Sequence, residues 1–412
     1  MQMIYNIFIF FYGAALRLAS SFHPKAKLWI DGRKDWENKL RKALDHTKPT
    51  LWIHCSSLGE FEQGKPVIEA LKKYYPKHQI ALSFFSPSGY EVRKNYKGAD
   101  YIFYLPLDSK QNAEKLVELL KPELLILVKY EYWYNLIQAL HQNGIPIVVV
   151  SAIFRKSQNF FKNRGKNWFA NKLRMIDHFF VQNEQSASLL NQIGIRQATV
   201  AGDTRFDRVK GLINEAFHDA KIEQFVAKNS VLILGSSWPQ DEKLLQQHLQ
   251  QNPLPENWKI MIAPHNIAEK SIEATNQKFP DAIRYTQATT LDRPILILDT
   301  IGMLSKLYRY AEIVMIGGGF GAGIHNTLEA ATYGKPIIIG PKYQKFQEAI
   351  DQIENGNLIS VQNQREFDKV LIELIANPEK RTSMSEKAYS YVHHQKNSTS
   401  IIIDKIADIM NS

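Results

Sequence analysis

The sequence predicts an α/β protein of two doubly wound, Rossmann-like domains, and three observations carry that prediction. Short apolar, β-branched runs alternate with amphipathic stretches along nearly the whole chain, the pattern of parallel strands joined by crossover helices. The 412 residues exceed what one hydrophobic core ordinarily serves, so two domains of roughly 200 residues are expected. The alternation is interrupted once, from Phe206 to Ser230, where strand character is weak and linker helices fit.

The first series of candidate strands is Leu51 to Cys55, Gln79 to Phe84, Tyr101 to Tyr104, Leu124 to Val128, Ile145 to Ser151 and His178 to Val181. The second is Val231 to Gly235, Lys259 to Ala263, Ile295 to Leu298, Ile313 to Ile316, Pro336 to Ile339 and Leu358 to Val361. The expected organisation is an anchor segment 1–20, a first domain 21–210, a linker 211–230 and a second domain 231–412 that ends in a helical tail from about Pro378. Ligands of such sheets bind beyond the carboxyl ends of the strands, so an interdomain cleft is the expected place of chemistry.

With 44% hydrophobic and 22% charged residues the chain is of ordinary globular type, and no repeat or low-complexity tract argues otherwise. The lone Cys55 excludes an internal disulfide framework and a cysteine-based zinc site; it is expected as a small buried strand residue in a reducing compartment. The net charge of +10 is unevenly divided: residues 1–210 hold 31 Lys and Arg against 18 Asp and Glu, whereas residues 211–412 hold 20 against 23. An anionic partner for the first half follows, either nucleic acid or a lipid surface. The uncharged run MQMIYNIFIFFYGAAL, followed by Arg17, Lys25, Lys27, Arg33 and Lys34, favours the lipid surface. It is shorter than the roughly 20 residues a spanning helix prefers and lacks a basic region before the apolar run, so a retained anchor is expected rather than a cleaved signal. The positive charge after it would keep the body of the protein on the cytoplasmic side. A helix buried in the fold is the competing reading.

The strongest local signal is IVMIGGGFGAGIHNTLEAATYGKPIIIGP, Ile313 to Pro341. A buried strand runs into Gly317, Gly318 and Gly319, whose bare backbone lets N–H groups approach an anion, and a helix is expected near Asn326 or Thr327. Glu329 in its first turn could accept hydrogen bonds from ribose hydroxyls; a Gly-rich turn that merely packs helix on strand is the alternative. In WIHCSSLGEFEQGKPVIEAL the first strand ends in Ser56, Ser57, Leu58 and Gly59, and a helix opens at Glu60. A carboxylate there suits a general base, and equally an ordinary first-turn Glu complementing the helix dipole.

Together these segments resemble the Kdo transferases, GT-B enzymes that move 3-deoxy-D-manno-octulosonic acid (Kdo) from its CMP-activated form onto lipid A precursors. The family's Ser-x-Gly-Glu element is matched by Ser57, Leu58, Gly59 and Glu60, and its Gly-Gly and Gly-x-His-Asn-x-Leu-Glu elements by Gly317, Gly318 and Gly323 to Glu329. Ser86, Pro87, Ser88 and Gly89 resemble its Thr-Pro-x-Gly turn; Glu131, Trp133 and Asn135 its Glu-x-Trp-x-Asn element; Gly202, Phe206 and Asp207 its Gly-Asn-x-Lys-Phe-Asp segment; Ser236, Ser237, Asp241 and Glu242 its Ser-Thr-His-x-Gly-Glu-Glu segment. The resemblance therefore extends over nearly the whole chain. It departs at Lys129, where many members have a second acid, at Ile153 to Lys156, which replaces an Arg-Leu-Ser element, and at Ala263 to Asn266, which replaces Pro-Arg-His-Pro and removes an arginine. His265, Lys270 and Lys306 are candidates to compensate.

The resemblance implies two Rossmann-like domains facing a cleft, with an N-terminal apolar membrane-anchoring helix. It implies Glu60 as general base, with Glu131 shaping the Kdo or acceptor pocket. Ser236, Ser237, His265, Gly317, Gly318, Gly319, His325, Asn326 and Glu329 would bind the nucleotide, and backbone N–H groups near Ser236 and Gly318 would stabilise the leaving phosphate. Ser56, Ser57, Gly59, Ser86, Ser88, Gly89 and Arg155 would bind the acceptor. The donor would be CMP-Kdo and the acceptor a phosphorylated lipid A precursor, lipid IVA, in lipopolysaccharide core biosynthesis at the cytoplasmic face of the bacterial inner membrane. No metal or other cofactor is expected, since no Asp-x-Asp element occurs, and no nucleic-acid partner. The stretch Arg155 to Arg174 holds seven Lys or Arg, no acid, and Phe160, Phe161, Trp168 and Phe169; it suits a phosphorylated lipid surface with the aromatics at the headgroup boundary, or a solvated face over core aromatics. A GT-B transferase using a UDP-sugar and a noncatalytic lipid-surface protein are the other readings.

Overall fold

The structure, a computed structural model, describes residues 1–130 and 132–411. It divides into two compact units: residues 1–208 with 396–412, and residues 209–395.

The first unit is built on β1 (Thr50–Cys55), β2 (Gln79–Phe84), β3 (Tyr101–Tyr104), β4 (Pro122–Val128), β5 (Ile147–Ala152), β6 (His178–Val181) and β7 (Ala198–Val200). All pairings are parallel, in the order β3-β2-β1-β4-β5-β6-β7. Every residue of β1 is buried, as required of a parallel strand covered by helices on both faces. Its side chains alternate between two cores: Trp52 packs on one face with Leu125 and Leu127, while Leu51 and Ile53 pack on the other with Leu124 and Ile126. The second core also takes Ile402, Ile403 and Ile406 from the helix Ser398–Met410.

The second unit repeats the plan with β8 (Ser230–Ser237), β9 (Trp258–Pro264), β10 (Ala282–Arg284), β11 (Ile295–Ile297), β12 (Ile313–Ile316), β13 (Ile337–Ile339) and β14 (Leu358–Ser360). The order is β10-β11-β9-β8-β12-β13-β14, again parallel. The strands absent from the sequence reading, β7 and β10, are edge strands of three residues each, too short for alternation to register. The unit division also differs from the expected 211–230 linker and 231–412 domain. It falls inside the helix Thr204–Asn214, and the last helix belongs with the first unit because its Ile-rich face completes a core there.

In both sheets the direction of winding reverses once, between β1 and β4 and between β8 and β12. Loops diverge at such a switch point and leave a crevice at the carboxyl ends of the two strands. The residues immediately after these four strands therefore border the crevices where ligands of such sheets bind.

The N-terminal helix Gln2–Ala19 is long and apolar enough to cross a membrane by length and composition. One stripe of it docks on the first unit. Gln2 Nε2 donates to Asn135 Oδ1 (2.7 Å), Asn135 Nδ2 donates to Asn6 Oδ1 (3.0 Å), and Tyr5 Oη donates to Asp108 Oδ2 (2.6 Å). Ile9 and Gly13, next along the same stripe, are buried. Met3, Ile4, Ile7, Phe8, Phe10, Phe11 and Leu18 are exposed, Phe8 by 61% and Phe11 by 64%.

Around Arg155 to Arg174 the structure corrects one reading. Phe160 is buried, Phe161 and Phe169 pack on the same core, and Trp168 lies edge-on to Tyr134. Phe160, Phe161 and Phe169 are core residues, Trp168 is half-buried against Tyr5 and Tyr134, and Arg155, Lys156, Lys162, Arg164 and Lys166 form a solvated face.

Candidate active site

In the first unit the chain leaves β1 at Ser56 and enters the helix Leu58–Tyr74. Ser57 caps that helix, its Oγ accepting from Glu60 N at 3.5 Å, and Glu60 Oε2 reaches back to accept from Ser56 N at 2.5 Å. This is a capping box shifted by one residue. It aims the Glu60 carboxylate over the helix N-terminus, where the dipole favours the anion. The turn Ser86–Gly89 packs against it: Ser86 N donates to Ser56 O at 2.7 Å, and a Cβ on Gly89 would lie 3.1 Å from the Ser57 carbonyl carbon. Ser86 and Ser88 join hydroxyls at 2.9 Å. The structure thus brings Ser56, Ser57, Gly59, Glu60, Ser86, Ser88 and Gly89 together.

Beyond β4 lies Tyr130, whose phenol burial raises above its ordinary value; it feels the charges of Arg155, Glu60, Arg205 and Asp203. Burial pushes the Asp203 carboxyl up, but Arg205, donating from Nε (2.9 Å) and Nη2 (2.7 Å), and the Gln63 amide hold it below the usual value. Arg155 is exposed. Glu131 lies outside the described residues. Trp133, of the Glu-x-Trp-x-Asn element, meets two buried residues the sequence reading passed over, His54 and Ser83. Trp133 Nε1 donates to His54 Nε2 at 3.0 Å, and His54 Nδ1 lies 2.9 Å from Ser83 Oγ. An indole only donates, so His54 accepts at Nε2 and carries its proton on Nδ1. Its signal was a histidine inside the otherwise apolar strand Thr50–Cys55.

In the second unit Ser236 sits in the left-handed region at φ 52°, where the β8–β9 register slips between Gly235 and Ser237. Ser151 has the same φ of 52° at a register slip at the end of β5, and Lys129, just after β4, has φ 68°. Such strain in non-glycine residues is sustained only by the surrounding structure and collects at functional turns.

The glycines after β12 are required by close approach. A Cβ on Gly317 would lie 2.3 Å from Ser236 O, and one on Gly319 2.6 Å from Gly340 N. Their N–H groups are used differently from expectation. Gly317 N donates to Gly235 O and Gly318 N to Asp241 Oδ2, each at 2.9 Å. Neither is left for a leaving phosphate, which corrects the proposed role of the Gly318 N–H. Asp241 Oδ2 also accepts from Trp238 N at 2.9 Å, so one carboxylate ties the turn after β8 to the turn after β12. Burial raises the Asp241 carboxyl above its ordinary value. Ser237 is turned away as well: its hydroxyl donates to the buried Glu242, which also takes Thr275 and Lys278.

The groups that do converge are aromatic. Trp238 Nε1 donates to His325 Nε2 at 3.0 Å, the His265 ring stacks on Trp238 at 4.7 Å, and the His325 ring stacks on His265 at 4.5 Å. Burial and the neighbouring His265 push His325 down to about 4, so it is neutral near pH 7. The indole donor assigns its proton to Nδ1. Trp238 stands where the resembled family has a histidine, and the sequence reading did not select it. Asn326 Oδ1 accepts from Leu328 N at 3.0 Å, capping a helix that starts where expected but runs only from Leu328 to Ala331. Glu329, in that turn, acts on the fully buried Tyr308, whose phenol is raised by burial and by the Glu329 charge. Of the candidate compensating cations, Lys306 pairs with Glu215 at 3.1 Å and Lys270 is exposed.

Two parallel doubly wound units, each with its candidate turns at the switch point, define a protein of the GT-B fold class. Residues 34–208 match the family model of 3-deoxy-D-manno-octulosonic-acid transferases, and residues 291–391 match that of group 1 glycosyl transferases. The chain is 26% identical over 366 residues to the 3-deoxy-D-manno-octulosonic acid transferase of Chlamydophila psittaci, covering 85% of this chain and 83% of the relative. It is 26% identical over 353 residues to that of Aquifex aeolicus, covering 84% and 92%. Among solved structures, the UDP-GlcNAc 2-epimerase of Neisseria meningitidis shares the fold, with a TM-score of 0.62 at 16% identity over 87% of this chain and all of that one. The first unit is thus matched by the Kdo transferase family model, and the two curated relatives, similar over most of the chain, are Kdo transferases.

Proposed function

We propose that the protein transfers Kdo from CMP-Kdo to lipid IVA, with inversion at the anomeric carbon, at the cytoplasmic face of the bacterial inner membrane. The observation that carries this reading is the Ser56–Glu60 turn, which fixes a carboxylate at a helix start on the switch point of the first sheet. Glu60 is the general base. The acceptor oxygen bonds to the anomeric carbon as the bond from that carbon to the CMP phosphate oxygen breaks; the hydroxyl proton passes to Glu60, and the electron pair leaves with the phosphate. Ser56, Ser57, Gly59, Ser86, Ser88, Gly89 and Arg155 line the acceptor side, and Glu131 shapes the Kdo or acceptor pocket.

The nucleotide belongs to the second unit. With the Gly317 and Gly318 N–H groups engaged, charge developing on the phosphate is met by the Nδ1–H of His325 and by His265, a preorganised donor set in the sense of electrostatic catalysis. Ser236, Asn326 and Gly319 frame the nucleotide, and Glu329 accepts from its ribose. This scheme requires no resident metal.

The helix Gln2–Ala19 lies in the membrane plane, because spanning would break the three hydrogen bonds of its docked stripe. It also bears on the acceptor side: Tyr12 stacks on Phe85 (6.4 Å), Phe85 lies against Trp133 (4.5 Å), and Trp133 donates to His54. The test is to incubate the protein with CMP-Kdo and lipid IVA and to weigh the lipid by mass spectrometry. One added Kdo or more is expected; no addition, beside an active control enzyme, ends the proposal.

A further inference from the structure

Where the N-terminal helix meets the helix Pro24–Gly32, a cavity of about 360 Å³ is lined by Gly13, Arg17, Trp29, Arg33, Lys34 and Asn112, among others. Its polar chemistry is one-sided. Arg33 is 9% exposed, and its guanidinium donates to three carbonyls: Nε to Leu105 O (2.7 Å), Nη1 to Trp29 O (2.9 Å) and Nη2 to Phe85 O (2.7 Å). It lies 3.5 Å over the Trp29 ring, 4.8 Å from that of Tyr104 and 5.0 Å from that of Phe85. No carboxylate among the described residues pairs with it. A guanidinium carries five N–H bonds, so two are left after the three carbonyls. Arg17 likewise has no acid partner among the described residues, and Lys34 pairs with Asp31 at 2.6 Å on the exposed side of the helix.

A second, independent observation concerns Trp29. The residue is 7% exposed and its Nε1–H is buried without a hydrogen-bond partner. A buried cation without an anion and a buried donor without an acceptor are each costly alone. A single anion with several acceptor oxygens answers both.

We propose that this cavity binds the phosphate of a lipid headgroup. A phosphate ester offers acceptor oxygens to Trp29 Nε1 and charge to Arg17, Arg33 and Lys34. The source is an anionic bilayer lipid, since the cavity borders the helix whose opposite face exposes Phe8, Phe11 and Leu18. The chain is thereby held by a seated headgroup in addition to apolar contact. This inference rests on the membrane attachment proposed above.

The experiment is sedimentation of the full chain with vesicles of phosphatidylcholine alone and of phosphatidylcholine with phosphatidylglycerol. Binding to the neutral vesicles reports the apolar helix, so its absence would refute the attachment and not the cavity. The cavity is read from the increment that phosphatidylglycerol adds. Trp29→Phe keeps the ring and every charge while deleting the orphan donor; it is expected to lower that increment about tenfold, with an unchanged melting temperature. The double variant Arg17→Gln with Lys34→Gln should lower it further than Lys25→Gln with Lys27→Gln, which removes the same charge from exposed sites outside the cavity. Titration with glycerol 1-phosphate separates the sources: heat of binding assigns the site to free phosphate esters as well, and none assigns it to the lipid surface alone. An unchanged increment in Trp29→Phe, with the two double variants equal, overturns the proposal.

Discussion

The indole N–H of Trp238 donates to Nε2 of His325 across 3.0 Å, so a residue at the end of β8 decides which nitrogen of a residue beyond β12 carries the proton. The His265 ring, stacked on both, completes the platform. The sequence offers His325 as a motif residue, but its protonation state is a property of the neighbour.

Trp238→Phe keeps the stack and removes the donor. Loss of one hydrogen bond corresponds to roughly a fivefold weaker affinity, and we expect CMP to bind weaker by that order in calorimetry. In the wild type, ¹⁵N spectra of His325 should show the Nδ1–H tautomer. An unchanged tautomer and affinity in the variant would separate Trp238 from the site.

His325 is held down to about 4 by burial and by His265, against an ordinary value of 6.5. A folded-state value below the unfolded one means that its share of stability is present above about pH 6.5 and is lost as pH falls toward 4. Because the ring is only partly buried and solvent screens it, the loss is on the order of 1 kcal/mol. His178, lowered to about 4 by burial and by Lys405, acts in the same window. The melting temperature of His325→Gln should therefore fall less between pH 6.5 and pH 4 than that of the wild type.

Glu60→Gln retains an oxygen that can accept from Ser56 N, so the cap survives and the fold should lose under about 1 kcal/mol. The proton acceptor is gone. Turnover is expected to drop by about 10² to 10⁴, with CMP-Kdo affinity unchanged. Turnover within a factor of about ten of wild type would exclude Glu60 as the general base.

Two glycines of one turn should respond oppositely to alanine. At Gly319 a Cβ would meet backbone of Gly340 at 2.6 to 2.9 Å, whereas at Gly321 its nearest neighbour is Gly318 O at 3.5 Å. We expect Gly319→Ala to cost about 1–3 kcal/mol in denaturant unfolding, and Gly321→Ala to be tolerated.

The exposed face of the first helix is tested by Phe8→Asp with Phe11→Asp. Binding to neutral vesicles should be lost without a fall in melting temperature, since neither ring is in a core. Tyr5→Phe should do the reverse, because it removes a donor from the buried Asp108 while leaving the exposed face intact.

Much of this fold was legible because its central strands are buried on both faces and read as unbroken apolar runs, as Leu124 to Val128 does. The edge strands at Ala198 and Ala282 were not, since three residues carry no period. The motifs located the turns at Glu60 and Gly317 but not their internal bonding. That Gly318 N is taken by Asp241, 77 positions away, is a tertiary fact. So is the inward packing of Phe160 and Phe169, which in sequence alternate with cations like the residues of a membrane-facing stretch.

The helix Ser398–Met410 supplies Ile402, Ile403 and Ile406 to a core whose other members precede residue 202. During synthesis the N-terminal sheet therefore leaves the ribosome before the residues that seal it. With translation at about 5–20 residues per second, the interval is on the order of ten seconds or more. For that time an apolar surface on an otherwise assembled sheet is open to chaperones, and the second unit can fold first.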